Sequence, residues 1–445
     1  MTKIEKLRNE ALKYYNNGQI NTSIKQMQKM FNNAHYLKKT SDKLKASDYN
    51  SMSISYRYLG EYSNAIQYAK KMYNLSKEYN AIINLGISYF YNKEYENAIS
   101  IANEALEIKD DDYTIYDILV ESYTALNKFE EATKVGRSSI ILKEKSVENY
   151  PNNLANSIEI KPFDEKDSNK NIISFSLFGN NPKYCENAIE NVLIAKELYP
   201  LWKCKFYCSN DVPQNVIQRL ESNGAIVVVK EKTKDIKEML FWRFLPISDK
   251  SINVVIVRDC DSLLTSRESI IVNKWIQSNK SFHIIRDYYS HTDLILAGMF
   301  GCVTGLFDDI ENMYKEFLKK PFTSRTHLDQ LFLKQNIWPS IKNNVLIHDS
   351  RFHCRENNSE EFFKDDIYDM NNHIGQNVAD AAFEVEVQDG LNFSNVKWQI
   401  TDINNNVICE YITKLINGKY RVNIPRSYTN KIRQKEYKIV SIPFK

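Results

Sequence analysis

No stretch of this 445-residue sequence is apolar over the length that a membrane-spanning helix needs. The longest uncharged run, LILAGMFGCVTGLF from Leu294, has 14 residues, whereas a spanning helix takes about 20. The opening MTKIEKLRNEALKYY is charged throughout and lacks the apolar core of a secretory signal. The formal net charge of +3 gives no electrostatic reason to expect nucleic acid as a partner. We therefore expect a cytoplasmic protein without a transmembrane segment, and peripheral contact with the inner face of the cytoplasmic membrane stays open.

The sequence is also poor in metal and nucleotide motifs. Its seven cysteines include no C-x-x-C pair, the usual half of a structural zinc site. Cys204 and Cys208 would share one face of a strand, but nothing near them in sequence supplies further zinc ligands. Buried reduced thiols are therefore the expectation. No P-loop and no G-x-G-x-x-G follows a predicted strand, so a cradle for a nucleoside triphosphate is unsupported.

The first third of the chain repeats itself. Three segments, GEYSNAIQYAKKMYNL from Gly60, KEYENAISIANEALEI from Lys93 and NKFEEATKVGRSSIIL from Asn127, align on an aromatic residue followed three positions later by alanine. The pattern resembles tetratricopeptide (TPR) repeats, in which paired helices stack into a solenoid. The resemblance implies an all-α domain over residues 1–145 that docks a protein partner or self-associates. An unrelated helical bundle is the alternative.

The rest of the chain divides by composition. Residues 146–170 are polar and contain two prolines, which predicts a linker. Over residues 171–380, strand-like runs such as NIISFSLFG and NVVIV alternate with amphipathic segments, which predicts a parallel sheet with crossover helices. The run AIVVV is typical of a strand covered on both faces. Over residues 381–445, apolar and polar residues alternate in segments that are separated by turns at Asp389-Gly390, Asn404 to Asn406 and Asn417-Gly418. This pattern predicts a small antiparallel β domain.

Two aspartates follow the strand NVVIV. Asp259 and Asp261 stand in the segment VRDCDS, and the carboxyl ends of strands are where an open α/β sheet collects its ligands. One interpretation is that Asp261 or Ser262 caps a helix beginning near Ser266. The other is that the two carboxylates hold a divalent metal ion, which prefers hard oxygen ligands.

Two cations and a glycine-rich segment suit the metal interpretation. Arg243 and Arg258 are able to hold phosphate, although Arg243 could instead stack on a neighbouring aromatic ring. AGMFG, which contains Gly298 and Gly301, is interpreted as a loop lining a pocket, with a tight turn as the alternative.

Two later segments add polar side chains. Asp329 and Gln330 stand near the start of a short apolar helix, where they face a site or cap the helix. His348 ends the apolar strand NVLIH, and its imidazole could join carboxylates on a metal ion.

This ordered set, from VRDCDS to NVLIHDS, resembles metal-dependent glycosyltransferases of the GT-A fold, and among them bacterial transferases of surface polysaccharide assembly. The resemblance covers roughly residues 170–380 and implies a Rossmann-like α/β domain. It implies that Asp259 and Asp261 hold Mn²⁺ or Mg²⁺ and the diphosphate of a nucleotide sugar, and that His348 completes the metal shell. Asp329 and Gln330 would contact the donor sugar, as in retaining members, or Asp329 would be the general base of an inverting enzyme.

The resemblance thus implies a hexosyltransferase-like enzyme that extends a capsule, O-antigen or lipooligosaccharide on a glycan or glycolipid acceptor. The late His-Gly-Lys-Pro-Trp segment of retaining members is missing, which leaves retention only slightly preferred. Paired aspartates with a metal ion also serve phosphotransferases and nucleotidyltransferases. A TPR scaffold with a non-catalytic α/β domain is the third hypothesis.

Overall fold

The computed structural model describes residues 2–155, 161–320, 327–354, 359–360, 372–378, 381–387 and 394–444. The chain divides into two compact units, Met1–Ser146 and Val147–Lys445. No helix within these described ranges is both long and apolar enough to cross a membrane.

Unit 1 is built from helix pairs. Its helices are α1 (Lys3–Asn16), α2 (Ile20–Phe31), α3 (Tyr36–Lys39), α4 (Asp42–Tyr58), α5 (Tyr62–Leu75), α6 (Tyr79–Tyr91), α7 (Tyr95–Ile108), α8 (Tyr113–Ala125) and α9 (Phe129–Lys145). Helix α1 packs on α2, α4 on α5, α6 on α7 and α8 on α9, and each of the first three pairs contacts the pair that follows it. This succession of stacked pairs confirms the prediction of TPR-like repeats.

The repeated residues occupy equivalent places in these pairs. The second helices of the last three pairs begin at the repeated aromatics Tyr62, Tyr95 and Phe129. The alanines three residues later, Ala65, Ala98 and Ala132, are 0% exposed. Because a methyl side chain lets a neighbouring helix approach closely, the alanine spacing explains why the pairs stack. Each of these helices is preceded by a turn residue with positive φ, namely Gly60, Lys93 and Asn127.

Most of unit 2 alternates strands and helices. In chain order these are β1 (Asn171–Leu177), α10 (Pro182–Leu198), β2 (Lys203–Ser209), α11 (Gln214–Ser222), β3 (Ile226–Lys230), α12 (Ile236–Phe241), β4 (Val254–Arg258), α13 (Ser266–Gln277), β5 (Phe282–Arg286), β6 (Met299–Val303), α14 (Ile310–Leu318), α15 (Leu328–Phe332), α16 (Trp338–Ile341), β7 (Val345–Asp349) and β8 (Ser359–Glu360). A 3₁₀-helix at Trp242–Ser248 continues α12, and a π-helix at Leu333–Ile337 joins α15 to α16.

These strands form one mixed sheet in the order β3-β2-β1-β4-β6-β5-β7-β8. Strand β6 runs antiparallel to β4 and β5, and the other neighbouring pairs are parallel. The predicted parallel sheet with crossover helices is therefore confirmed apart from β6. The order changes direction between β1 and β4, because β2 and β3 extend the sheet on one side and the later strands on the other.

Two local predictions for unit 2 are wrong. The AIVVV run forms β3, at one edge of the sheet as the structure describes it, and Val229 there is 53% exposed, so this strand is not covered on both faces. AGMFG is not a loop from Met299 onward, since β6 begins there.

Residues 147–155 of the segment predicted to be a linker belong to unit 2 and pack on other residues of that unit. The backbone N of Asn153 donates to Ser340 Oγ (2.8 Å), and its side-chain amide donates to the carbonyl O of Asn336 (2.9 Å). The backbone N of Ala155 donates to the carbonyl O of Leu306 (2.8 Å).

The C-terminal residues form the predicted antiparallel strands and one additional helix. The elements are β9 (Ala381–Glu386), β10 (Asn395–Asp402), β11 (Val407–Lys414), β12 (Lys419–Ile424), α17 (Arg426–Arg433) and β13 (Tyr437–Phe444). One sheet has the order β11-β10-β13 and the other pairs β12 with β9. The predicted turns at 404–406 and 417–418 lie between strands, whereas the predicted Asp389-Gly390 turn lies outside the described residues.

A buried carboxylate fastens these C-terminal elements to α10. Glu186 is 0% exposed and accepts two hydrogen bonds from Arg219 of α11, both 2.8 Å. It also accepts from the hydroxyls of Tyr411 (2.6 Å) and Tyr428 (2.9 Å). Helix α10 also contacts the loop after β4. The C-terminal region therefore supports that loop indirectly, through α10.

Candidate functional site

The loop after β4 presents its aspartates where the strand order changes direction. The side chain of Asp259 is 40% exposed. Helix α13 begins at Ser266, as predicted, but its N-cap is Thr265, whose hydroxyl accepts from the backbone N of Glu268 (3.1 Å). The prediction that Asp261 or Ser262 caps this helix is therefore wrong, and neither aspartate is needed for its start.

The position of this loop depends on Asn191 of α10, which is 0% exposed. Its amide donates to the carbonyl O of Ser262 and accepts from the backbone N of Leu264, both at 2.9 Å. Sequence reasoning missed this residue. The available signal is an asparagine among the apolar residues of a buried helix face, where a polar side chain needs a specific partner.

Arg243 joins the two carboxylates that the sequence places far apart. Its Nη1 lies 3.0 Å from Asp259 Oδ1, and its Nη2 donates to Asp329 Oδ2 at 2.8 Å. Its Nε donates to the carbonyl O of Ala297 (3.1 Å), and the guanidinium lies over the ring of Phe244. Although burial disfavours the charged form, the two carboxylates raise the pKa of Arg243 above its ordinary value. Asp259, Arg243 and Asp329 thus form one charged cluster, in which only Asp259 is well exposed.

Asp261 is partly buried and contacts the segment 372–378. Nδ2 of Asn377 donates to its Oδ2 (3.2 Å), and the backbone N of Val378 donates to its carbonyl O (2.9 Å). Burial and the negative charge of Asp259 raise the pKa of Asp261 to about 6. Two neighbouring carboxylates repel each other, and a cation between them would relieve that repulsion.

The residues around Gly298 bring the second predicted pair to the cluster. Gly298 lies against Asp259, because a Cβ at this glycine would be 2.7 Å from Asp259 Cγ. The side chain of Gln330 hydrogen bonds with Asp293 and accepts weakly from the backbone N of Ala297 (3.4 Å). The structure thus brings together Arg243, Asp259, Gly298, Asp329 and Gln330, and it adds Asp293, which the sequence pattern did not single out.

Gly301, predicted to contact a ligand, has a packing role instead. It lies in β6, where a Cβ would be 2.8 Å from Ile256 Cγ2 and 2.8 Å from Trp275 Cζ3. Glycine is required here because β4 and α13 occupy the space that a side chain would need.

Arg258, predicted to hold phosphate, is committed to the protein interior. It is 1% exposed, its Nη1 donates to the carbonyl O of Gly298 (3.0 Å), and its Nε lies 3.3 Å from the buried Glu268 carboxylate. A guanidinium in this position cannot reach a ligand in solvent. It holds Gly298 and the start of α13 in place.

His348, predicted to be the third metal ligand, is 0% exposed in β7. Its Nδ1 lies 2.8 Å from Nε2 of His283, whose ring stacks on Trp275. Within the described residues no group of three or more His, Cys, Asp and Glu side chains is arranged to hold a metal ion. Within the described residues the structure therefore does not bring His348 together with Asp259 and Asp261 in a metal-binding group.

No protein-family model matches the chain, and no curated protein matches it. Among solved structures, a crystal structure of MamA is 22% identical, with a TM-score of 0.29 over 32% of this chain and 80% of that chain. MamA (41 to end) from Desulfovibrio magneticus RS-1 is 17% identical, with a TM-score of 0.29 over 32% of this chain and 76% of that chain. A Podosopora anserina kinesin light chain with TPR-like repeats is 13% identical, with a TM-score of 0.29 and the same coverages, 32% and 76%. Because these TM-scores are low, the assignment of TPR-like repeats to unit 1 rests on the helix pairs of unit 1 itself.

Proposed function

We propose that unit 2 is a glycosyltransferase of the GT-A type, which takes a nucleotide-diphosphate sugar as its donor. The observation that carries this proposal is the charged cluster of Asp259, Arg243 and Asp329 at the point where the strand order changes direction. Open α/β sheets bind ligands in the crevice at such a point. The cluster there combines an exposed carboxylate with a second carboxylate 70 positions further along the chain, joined by one guanidinium.

Asp259 and Asp261 would hold the Mn²⁺ or Mg²⁺ ion. Their fit is supported by the exposure of Asp259 and by the raised pKa of Asp261. Burial and repulsion by Asp259 raise this pKa, and a divalent cation would offset the repulsion. Two protein carboxylates are sufficient because substrate phosphates and water commonly supply the remaining ligands of Mg²⁺. When bound, the ion would neutralise negative charge on the departing nucleotide diphosphate.

Asp329 would contact the donor sugar. Its Oδ2 already accepts a 2.8 Å hydrogen bond from Nη2 of Arg243, so this oxygen is engaged within the protein. This ion pair therefore favours the positioning role over that of a general base, in agreement with the slight preference for retention. Gln330, the next residue of α15, would contact the donor sugar with its side-chain amide.

The acceptor class follows from the family resemblance alone: a glycan or glycolipid of a bacterial cell surface. TPR-like repeats commonly present a surface to other proteins. Unit 1 would accordingly bring the enzyme to a partner or to a second copy of the chain.

A panel of nucleotide sugars tests the donor site. Thermal denaturation of the full chain is measured with UDP-, GDP- and CMP-sugars, with and without Mn²⁺, and slow donor hydrolysis is followed in parallel. We expect one nucleotide class to raise the Tm only with Mn²⁺, because a ligand that binds the native state stabilises it. Asp259→Asn should abolish this shift, whereas Asp308→Asn, the same change at an exposed residue, should retain it.

The same panel decides between the proposals. ATP is added to the panel for this purpose, and stabilisation by ATP alone would favour a phosphotransferase or nucleotidyltransferase. The second candidate is a non-catalytic TPR scaffold, and the specific observation in its favour is that Arg243 already pairs with both Asp259 and Asp329. If calorimetry detects no binding of any nucleotide with Mn²⁺, the glycosyltransferase proposal is wrong and the scaffold is favoured.

A further inference from the structure

Arg57 in unit 1 carries a positive charge that no carboxylate of the described residues balances. Two other cations that bridge helices of this unit are paired with acids. Arg8 makes two hydrogen bonds of 2.7 Å to the Asp48 carboxylate, and Nζ of Lys143 lies 2.9 Å from Asp117. Arg57, which is partly buried, instead donates to neutral oxygen atoms.

Those neutral acceptors engage one end of the guanidinium. Nη1 donates to the carbonyl O of Asn84 (3.2 Å), to Ser88 Oγ (2.9 Å) and to Ser53 Oγ (3.5 Å), and it also bonds to Asn84 Oδ1. Asn50 Oδ1 accepts from Asn84 Nδ2 at 2.8 Å, which turns the amide oxygen of Asn84 towards Arg57. Nε and Nη2 make no hydrogen bond to any residue in the described ranges, so the donor edge that suits a carboxylate remains available.

Three tyrosines, each from the first helix of a pair, lie near Arg57. Tyr15 at the end of α1 and Tyr91 at the end of α6 are near enough to Arg57 to favour its charged form. Tyr58 follows Arg57 in α4 and is 67% exposed, and Tyr91 is 46% exposed. Arginine and tyrosine are the residue types that most often dominate binding free energy at protein interfaces. Arg57 therefore has nearby tyrosines, two of which are exposed to solvent.

The unbalanced charge indicates that the anion comes from outside the unit. Burial lowers the pKa of Arg57 to about 10, and the side chain is still charged at neutral pH. A partly buried charge without a partner is unfavourable, whereas a bidentate hydrogen bond to a carboxylate is among the strongest that a side chain makes. The surrounding sequence attracts anions, because residues 1–91 contain 14 Lys and Arg against 6 Asp and Glu.

We propose that Arg57 anchors a binding site for a carboxylate in an acidic peptide segment of a partner protein. Asn84 and Ser88 hold the guanidinium in place, and Tyr15, Tyr58 and Tyr91 contact the residues that flank the carboxylate. The site is independent of the chemistry proposed for unit 2.

Binding of labelled hexaglutamate to the full chain, followed by fluorescence anisotropy, tests the site, with hexaglutamine as the uncharged control peptide. Arg57→Gln should weaken hexaglutamate binding at least tenfold. Lys43→Gln, which removes the same charge from an exposed position of α4, should weaken it less than about twofold, because a single distant surface charge contributes little. Equal losses in both variants, or no binding to the wild-type chain, would overturn the proposal. Self-association that depends on Arg57, without peptide binding, would assign the site to a second copy and also overturn it.

A stability measurement separates a binding residue from a structural one. Arg57→Met and Arg8→Met are compared by the thermal loss of helical circular dichroism. Arg8→Met should lower the Tm of unit 1 by several degrees, because it leaves the Asp48 carboxylate buried without its partner. Arg57→Met should leave the Tm unchanged or raise it, because it leaves no carboxylate without its ion-pair partner. A decrease as large as that of Arg8→Met would make Arg57 a structural cation and overturn the proposal.

Discussion

Gly298 and Asp259 lie so close that a Cβ on the glycine would be 2.7 Å from Asp259 Cγ. Gly298→Ala should therefore push the Asp259 carboxylate out of its position beside Arg243. We expect Mn²⁺-dependent nucleotide-sugar binding to weaken at least tenfold, about 1.4 kcal/mol. Isothermal calorimetry of the variant with the donor identified in the panel measures this loss.

Gly301→Ala is the matched comparison, since it adds the same methyl group three residues further along. Its Cβ would meet Ile256 and Trp275 in the core, and overpacking of this kind costs about 1–3 kcal/mol of folding stability. All five tryptophans lie in unit 2, so tryptophan fluorescence during urea unfolding reports its stability. If Gly298→Ala lost stability as Gly301→Ala does but kept full donor affinity, Gly298 would not support the proposed site.

Sequence reasoning succeeded where a signal is local and periodic. The aromatic and alanine spacing of Tyr62 and Ala65 predicted the helix pairs because each position recurs with the repeat. The strand NVVIV followed by Asp259 predicted a carboxylate at a strand end, because the strand and the aspartate are adjacent in the chain. Such patterns depend on neighbours in the chain, which the sequence displays directly.

It failed where the deciding contact is distant in sequence. Arg258 and Arg243 both appeared able to hold phosphate, but Glu268 binds the first, and the second bridges Asp259 and Asp329. The imidazole of His348 faces His283 on the neighbouring strand β5. No local pattern states which face of a strand end meets solvent, so these roles required the tertiary structure.

The Arg243 and Asp329 ion pair should be measurable as an interaction free energy. A double-mutant cycle with Arg243→Met, Asp329→Asn and the double variant removes each partner in turn. We expect each single variant to lose stability, and Arg243→Met to lose about 3–5 kcal/mol because Asp259 and Asp329 are left facing each other. The double variant should lose less than the sum of the two single losses. Strictly additive losses would contradict the ion pair.

The Glu186 contacts predict that the C-terminal region stabilises the α/β part of unit 2. Tyr428→Phe removes a 2.9 Å hydrogen bond to a fully buried carboxylate and should cost about 1–3 kcal/mol in urea unfolding. Tyr184→Phe on α10 is the control, because the Tyr184 hydroxyl makes no hydrogen bond within the described ranges. Equal stability of the two variants would mean that Glu186 does not fasten α17 to α10.

Buried His291 should make the stability of unit 2 depend on pH. Its Nδ1 accepts from the backbone N of Asp287 at 3.0 Å, which requires the neutral ring. Burial, reinforced by the nearby charges of His373 and Arg286, lowers the pKa of His291 well below 6.5. The unfolded chain therefore binds a proton near pH 6.5 that the native state does not, and stability is lost as the pH falls below that value.

For one such histidine the free energy of unfolding should decrease by about 1.4 kcal/mol between pH 7.5 and pH 5.5. His291→Gln cannot take up the proton, so its unfolding free energy should change less over this interval by about that amount. His35→Gln, the same substitution at an exposed position of unit 1, should leave the pH dependence of tryptophan-detected unfolding unchanged. If His291→Gln and the wild type had the same pH dependence, a buried neutral His291 would be excluded, because only a histidine that stays unprotonated in the native state produces this difference.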